Sequence, residues 1–234
     1  MKHKIILFIL CPLIAGVVSG FIPPPDNTIA LAVKVIHDVS KKAANLDWAT
    51  AKKGDFLYSG DQIRTGERSI AIVKFKDNSM LRVRESSELK LFGEVKEGVF
   101  SKTVNISHGE FSFDIQKQKE NEKFTFSSPT SVAAIRGTKG VMDHSSDGDQ
   151  VVVLEGLVNL LNSLSNKNVD IAAGETGESH SDGSIFVRKS RSGEVDSTRN
   201  AINAGHGAGT IKQLDIELKD GDNNKKKLRI KYHG

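Results

Sequence analysis

Seven histidines are the side chains in this 234-residue chain best suited to acid–base work or metal ligation, and they are scattered. His3, His37, His108, His144, His180, His206 and His233 include no His-Glu-x-x-His or comparable pair that one helix turn would bring onto a metal. Ser107 and Ser145 adjoin histidines, but neither stands in the sharp strand-to-helix turn that presents a catalytic serine. Asp220-Gly221-Asp222-Asn223-Asn224 has carboxylates like a calcium loop, but no glycine at its sixth position and no glutamate at its twelfth. It reads as a hairpin turn. His144 to Asp149 reads as a loop, and Gly205-His206-Gly207-Ala208-Gly209 lacks the Lys-Ser/Thr that completes a phosphate cradle. No catalytic residue, cofactor or metal is expected. The remaining cluster is cationic: Lys225, Lys226, Lys227 and Arg229 are candidate contacts for an anionic surface, against the simpler account of lysines guarding a strand edge.

The elements that would position these groups are short apolar runs separated by turn residues, the pattern of an all-β domain. Ile29 to Val35 makes a first strand. Ile70 to Phe75 and Met80 to Val83 form a hairpin about Asp77-Asn78, with Leu81 and Val83 facing inward and Arg82 and Arg84 outward. Leu89 to Phe92 and Val104 to Ile106 follow, then a turn at Ser107-His108-Gly109 and the strictly alternating Phe111 to Ile115. Later strands are Phe124 to Phe126, Val132 to Ile135, Val151 to Leu154, Leu157 to Leu161 and Val169 to Ala172. No stretch sustains the apolar period of a major helix.

The ends differ in texture. Lys2 and Lys4 precede the apolar run Ile5 to Val18, and Val18-Ser19-Gly20 supplies small residues for cleavage, so 1–20 reads as an export signal peptide. Ile5 to Ile22 only reaches the lower limit of a spanning helix, which disfavours an uncleaved anchor. Cys11, the sole cysteine, would leave with the signal, and with it any disulfide or thiolate site. A Pro-rich spacer occupies 21–28, the main domain 29–185, a Ser/Gly/Asn-rich flexible linker 186–210, and a basic hairpin 211–234. Eleven Lys/Arg against six Asp/Glu from Phe186 onward give the tail a surplus of five positive charges.

A series of motifs runs through the main domain. Trp48, Gly54-Asp55, Gly60-Asp61 and Arg64-Thr65-Gly66 open it. Phe75-Lys76-Asp77-Asn78-Ser79 follows, with Asn78 where Gly is usual, a tolerated swap because Asn accepts a left-handed conformation. Then come His108-Gly109-Glu110-Phe111, Ala134-Ile135-Arg136-Gly137-Thr138, Val153-Leu154-Glu155-Gly156 and Ala172-Ala173-Gly174-Glu175. In order and spacing, Val33 to Glu178 resembles the FecR family. The residue chemistry is structural first. Gly60, Gly109, Gly137, Gly156 and Gly174 end strands and would supply positive φ or room. Asp61 and Thr65 would cap backbone donors. Trp48 would anchor the core or rim, and Arg136 would hold a carboxylate or carbonyl.

The resemblance implies an antiparallel sandwich of jelly-roll type, extended here by the C-terminal hairpin, and a periplasmic sensing and regulatory module. Only Met1 to Lys4 precede the apolar run, too few for a sigma-binding element. The expected function is thus a non-catalytic interaction or sensing module of a bacterial envelope, periplasmic or at the cell surface, with an envelope protein or glycan as partner. Nucleic acid is not expected, and membrane contact only through the basic C-terminus. Carbohydrate binding or adhesion, and a membrane-anchored regulator with an uncleaved first segment, stand as alternatives.

Overall fold

A computed structural model of the chain describes residues 27–44, 46–96, 99–119, 122–204, 211–219 and 225–233. The signal segment and most of the Pro-rich spacer lie outside the described residues. The first part of the chain contains β1 (Thr28–Ile36), β2 (Val39–Lys42), β3 (Trp48–Thr50), β4 (Phe56–Tyr58), β5 (Gln62–Thr65), β6 (Ile70–Phe75), β7 (Met80–Val83), β8 (Glu88–Lys96) and β9 (Val99–Ile115). The second contains β10 (Glu122–Ser127), β11 (Ser131–Ile135), β12 (Thr138–Ser145), β13 (Gly148–Glu155), β14 (Leu157–Asn162), β15 (Asn168–Ala172), β16 (Glu175–His180), β17 (Ile185–Lys189) and α1 (Ser192–Asn203). β18 (Ile211–Lys219) and β19 (Lys225–His233) close the chain.

The all-β antiparallel reading holds, with one parallel pair between β9 and β10. Seventeen strands are linked through their ladders, and β9 divides them into two layers. One layer runs β4-β1-β6-β7-β9-β12-β13-β16-β17. The other runs β3-β2-β5-β8-β9-β10-β11-β14-β15. Successive hairpins alternate between them: β6–β7 in the first, β10–β11 in the second, β12–β13 in the first, β14–β15 in the second.

Apolar side chains from both layers meet between them. Phe75 of β6 packs edge-on against Phe124 of β10, ring centroids 5.1 Å apart. Phe111 and Phe113 of β9 pack on Phe126 of β10 at 4.7 and 4.9 Å. Such aromatic pairs add about 0.5–1.5 kcal/mol beyond their area burial. All these rings are buried, with Leu57, Leu81, Val83, Val104 and Leu160 around them.

Ser107-His108-Gly109 is not a turn. The chain continues through it as the 17-residue strand β9. Val99 to His108 pairs with β8 in the second layer, and Gly109 to Ile115 pairs with β12 in the first. Gly109 is where the strand changes layer: its φ is +93°, and a Cβ there would lie 2.2 Å from Ser87 Oγ. Alternation alone does not distinguish a reversal from a crossing, because both need a glycine.

The linker assigned to 186–210 contains β17 and α1 instead. α1 buries Thr198, Ala201 and Ile202 and lies over β9, β12 and β13, where Ser112 donates to the Ala201 carbonyl at 2.9 Å. Glu194 closes the capping box from N3, accepting from Arg191 N at 2.8 Å. It also takes two bonds from Arg188, at 2.8 and 2.6 Å. Three buried residues in a polar segment leave too faint a periodicity to register as a helix. Their burial corrects the hairpin as well. Arg82, expected at the surface, pairs in register with Ser112 and is 1% exposed. Burial draws its pKa below the ordinary arginine value, opposed by the charge of Asp114.

The C-terminal hairpin is a separate two-stranded sheet whose register sets Leu214 opposite Ile230 and Ile216 opposite Leu228. The side chains of Lys225, Lys226, Lys227 and Arg229 lie outside the described residues.

Candidate interaction face

The family-motif residues build joints. Gly60, Gly109, Gly137, Gly156 and Gly174 all adopt positive φ, as expected, and Asn78 does so at +67° in its turn. Asp61 Oδ2 accepts from Tyr58 N at 3.0 Å. Thr65 Oγ1 accepts from Ser87 N at 3.1 Å and donates to the Arg84 carbonyl, clamping β5 to the β7–β8 turn. Gly66 admits the Asp38 side chain, whose Oδ2 would lie 2.9 Å from a Cβ.

Arg136-Gly137-Thr138 and Gly156-Leu157 interlock. Thr138 Oγ1, fully buried, donates to the Leu157 carbonyl at 2.9 Å and accepts from Leu157 N at 3.3 Å. Gly156, φ +87°, passes so close that a Cβ would meet the Gly137 carbonyl at 2.4 Å. The joint holds Arg136 and Leu157 side by side on the outside of the second layer. They line a groove of about 390 Å³ with Gln118, Glu122, Lys123, Ala134 and Asn159. Leu157 is 50% exposed, and Arg136 and Ala134 are exposed too. Contrary to expectation, Arg136 holds no carboxylate among the described residues.

The groove belongs to a broad outer face. In this layer Val39, Ile63, Leu89, Leu91, Phe124, Ile135 and Leu160 point into the core, so the alternate residues point out. Trp48, Lys42, Gln62 and Lys90 form one outward row across four strands. Arg64 follows in the next row, beside Glu88. Arg64 lies over the Trp48 ring at 4.3 Å, making Trp48 a half-buried rim residue. Thr125, Ala134, Asn159 and Asp170 form a further row, where Asn159 donates to Asp170 at 2.7 Å. Lys42, Arg64, Lys90, Lys123 and Arg136 thus share one face with three acidic side chains, Glu88, Glu94 and Asp170. Helix α1 covers part of the other layer, and no described element covers this one.

A second polar cluster was not legible as a site. The run from His144 to Asp149, expected as a loop, is the turn of the β12–β13 hairpin, which sets the two residues opposite each other. His144 Nδ1 donates to Asp149 Oδ1 at 2.8 Å, and Ser128 and Ser131 donate to Oδ2 at 2.5 Å each. Asp149 therefore pins the β10–β11 turn of one layer to a hairpin of the other. The available signal was a tight turn over Ser146-Asp147, which pairs Ser145 with Gly148 and then His144 with Asp149. Nearby, Glu110 and Asp143 face each other in the ladder beside α1, and burial raises both carboxyls above the ordinary range.

The described residues form an all-β sandwich with one broad sheet face that no described element covers. Residues 61–159 match the family model described as FecR protein. Arg64, Arg136, Thr138 and Gly156 fall within the match, while Trp48 and Gly174 fall outside it. Two crystal structures of a candidate anti-sigma factor from Parabacteroides distasonis ATCC 8503 are similar. One is 13% identical with a TM-score of 0.49, and the alignment covers 66% of each chain. The other is 12% identical with a TM-score of 0.47, covering 69% of this chain and 70% of that one. No curated protein matches the chain.

Proposed function

We propose that this protein is exported to a bacterial envelope, where its FecR domain binds another envelope protein and takes part in sensing without catalysing a reaction. The bare basic face of the second layer carries the reading. Antiparallel sheets commonly leave one face to water, but here solvent meets an indole under a guanidinium, an exposed Leu157 and at least four further cations. The Lys2/Lys4 and Ile5 to Val18 pattern supports export, placing the domain in the periplasm or at the cell surface.

The test is site-specific photocrosslinking in living cells of the source organism, with the photoreactive residue at Lys90, Leu157 or, as control, Ser145 on the opposite layer. Adducts of one discrete protein mass from Lys90 or Leu157, and none from Ser145, are expected. Adducts with glycan alone would replace this reading by carbohydrate binding, and no adduct at any position would reject it.

A further inference from the structure

We propose that the groove beside Arg136 and Leu157 docks a segment of a partner protein carrying carboxylates around one apolar side chain. This deepens the interaction-module reading and rests on it. Three observations fit such an occupant. First, Arg136 and Lys123 line the groove against a single carboxylate, Glu122, and neither is ion-paired among the described residues, so the groove keeps a cationic surplus. Second, Leu157 and Ala134 give the groove exposed apolar surface beside those cations. Third, the Thr138 clamp fixes the backbone that carries Leu157, so little ordering remains to oppose binding.

The same features argue against other occupants. At about 390 Å³ the groove is at the small end of the roughly 300–1,000 Å³ typical of ligand sites, suited to a short segment rather than a domain. Its aromatic ring, Phe124, is 1% exposed and offers no stacking platform for a sugar.

The experiment uses the intact mature protein and four probes: a short capped peptide alternating Glu and Leu, its Lys/Leu and Glu/Ser counterparts, and phosphatidylglycerol vesicles. Binding is read by fluorescence anisotropy and by backbone amide shifts. The Glu/Leu peptide should bind, weaken with added salt, and move the amides of Ala134, Arg136 and Leu157. Arg136→Glu and Lys123→Glu should each weaken it by about tenfold, since reversing one cation at a desolvated contact costs on that order. Circular dichroism should show both variants folded, because both side chains are exposed. Equal binding of the Lys/Leu or Glu/Ser peptide, unchanged binding by both variants, or binding to vesicles alone would overturn the proposal. The photocrosslinks separate the two readings: adducts from Lys90 but none from Leu157 would keep the interaction module and reject this groove.

Discussion

The guanidinium carbon of Arg64 lies 4.3 Å from the centre of the Trp48 ring, although sixteen positions separate the two residues. The register explains how: β2 lies between β3 and β5 and brings both side chains onto one outward face. Exposed cation–π contacts contribute about 0.5–1 kcal/mol. Arg64→Ala should therefore cost no more than about 1 kcal/mol in chemical denaturation. Trp48 is the sole tryptophan, so the same substitution should change the wild-type fluorescence spectrum directly. An unaltered spectrum would mean the stack does not persist in solution.

The joint between Thr138 and Leu157 predicts an ordering of glycine variants. Gly156→Ala meets both a positive φ and the Gly137 carbonyl at 2.4 Å, so backbone must move. Gly174→Ala meets a positive φ with nothing near the added methyl. The second should cost about 1–2 kcal/mol, the penalty of the left-handed conformation, and the first clearly more. Thr138→Val should cost about 1 kcal/mol, because it removes the two part-buried hydrogen bonds that Thr138 Oγ1 makes with the Leu157 backbone. Equal losses for the two glycine variants in urea melts would contradict the close approach.

Much of this was legible from residues. Strands with apolar residues on alternate positions declared themselves, as at Phe111 to Ile115. The motif glycines, each ending an apolar run, take the positive φ that such positions call for. What escaped depends on partners distant in sequence. Gly109 could end a strand or carry it from one layer to the other, and only its neighbour Ser87 decides. Arg82 looked like an outward residue because it alternates with Leu81 and Val83, yet it pairs with Ser112 and is 1% exposed. Arg64 and Arg136 were visible as motif positions, but their common face follows from strand order, which a single sequence does not encode locally.

Asp149 predicts a different kind of loss. It accepts from Ser128, Ser131 and His144 and is 4% exposed, so Asp149→Ala strands three donors at once, two of them buried. Unsatisfied buried groups cost about 1–3 kcal/mol each, though neighbouring losses do not add in full. A destabilisation of several kcal/mol is expected, with amide exchange rising first in β10, β11 and the β12–β13 turn, which the carboxylate joins. A loss confined to the β12–β13 hairpin would show that Asp149 serves its own hairpin and does not join the layers.

Export has a mass signature. If 1–20 is a cleaved signal, native protein from the envelope fraction should begin near Phe21 by intact mass. Full-length mass in the inner membrane would instead make the uncleaved segment an anchor.

Glu194 ties α1 to the sheet through Arg188, and that tie should depend on pH. Hydrogen bonds from Arg188 hold its carboxyl at about 2, below the ordinary 4.5, with the Arg191 amide adding to the effect and burial opposing it. A carboxyl whose folded pKa is depressed stabilises the fold above its unfolded pKa and loses that contribution as pH falls through the folded value. The contribution of Glu194 should thus be complete above about pH 4.5, shrink below it, and be gone near pH 2. Glu194→Gln keeps the size but not the charge. Its stability deficit should be constant near neutrality and narrow as the solution is acidified, while amides of α1 in the wild type lose protection over the same interval. A deficit that does not change with pH would mean that shape, not charge, holds the helix. A helix that loses protection well above pH 4.5 would point instead to a neighbouring group. Glu110 and Asp143 do not qualify, because their raised carboxyls make the fold relatively more stable, not less, as they take up protons.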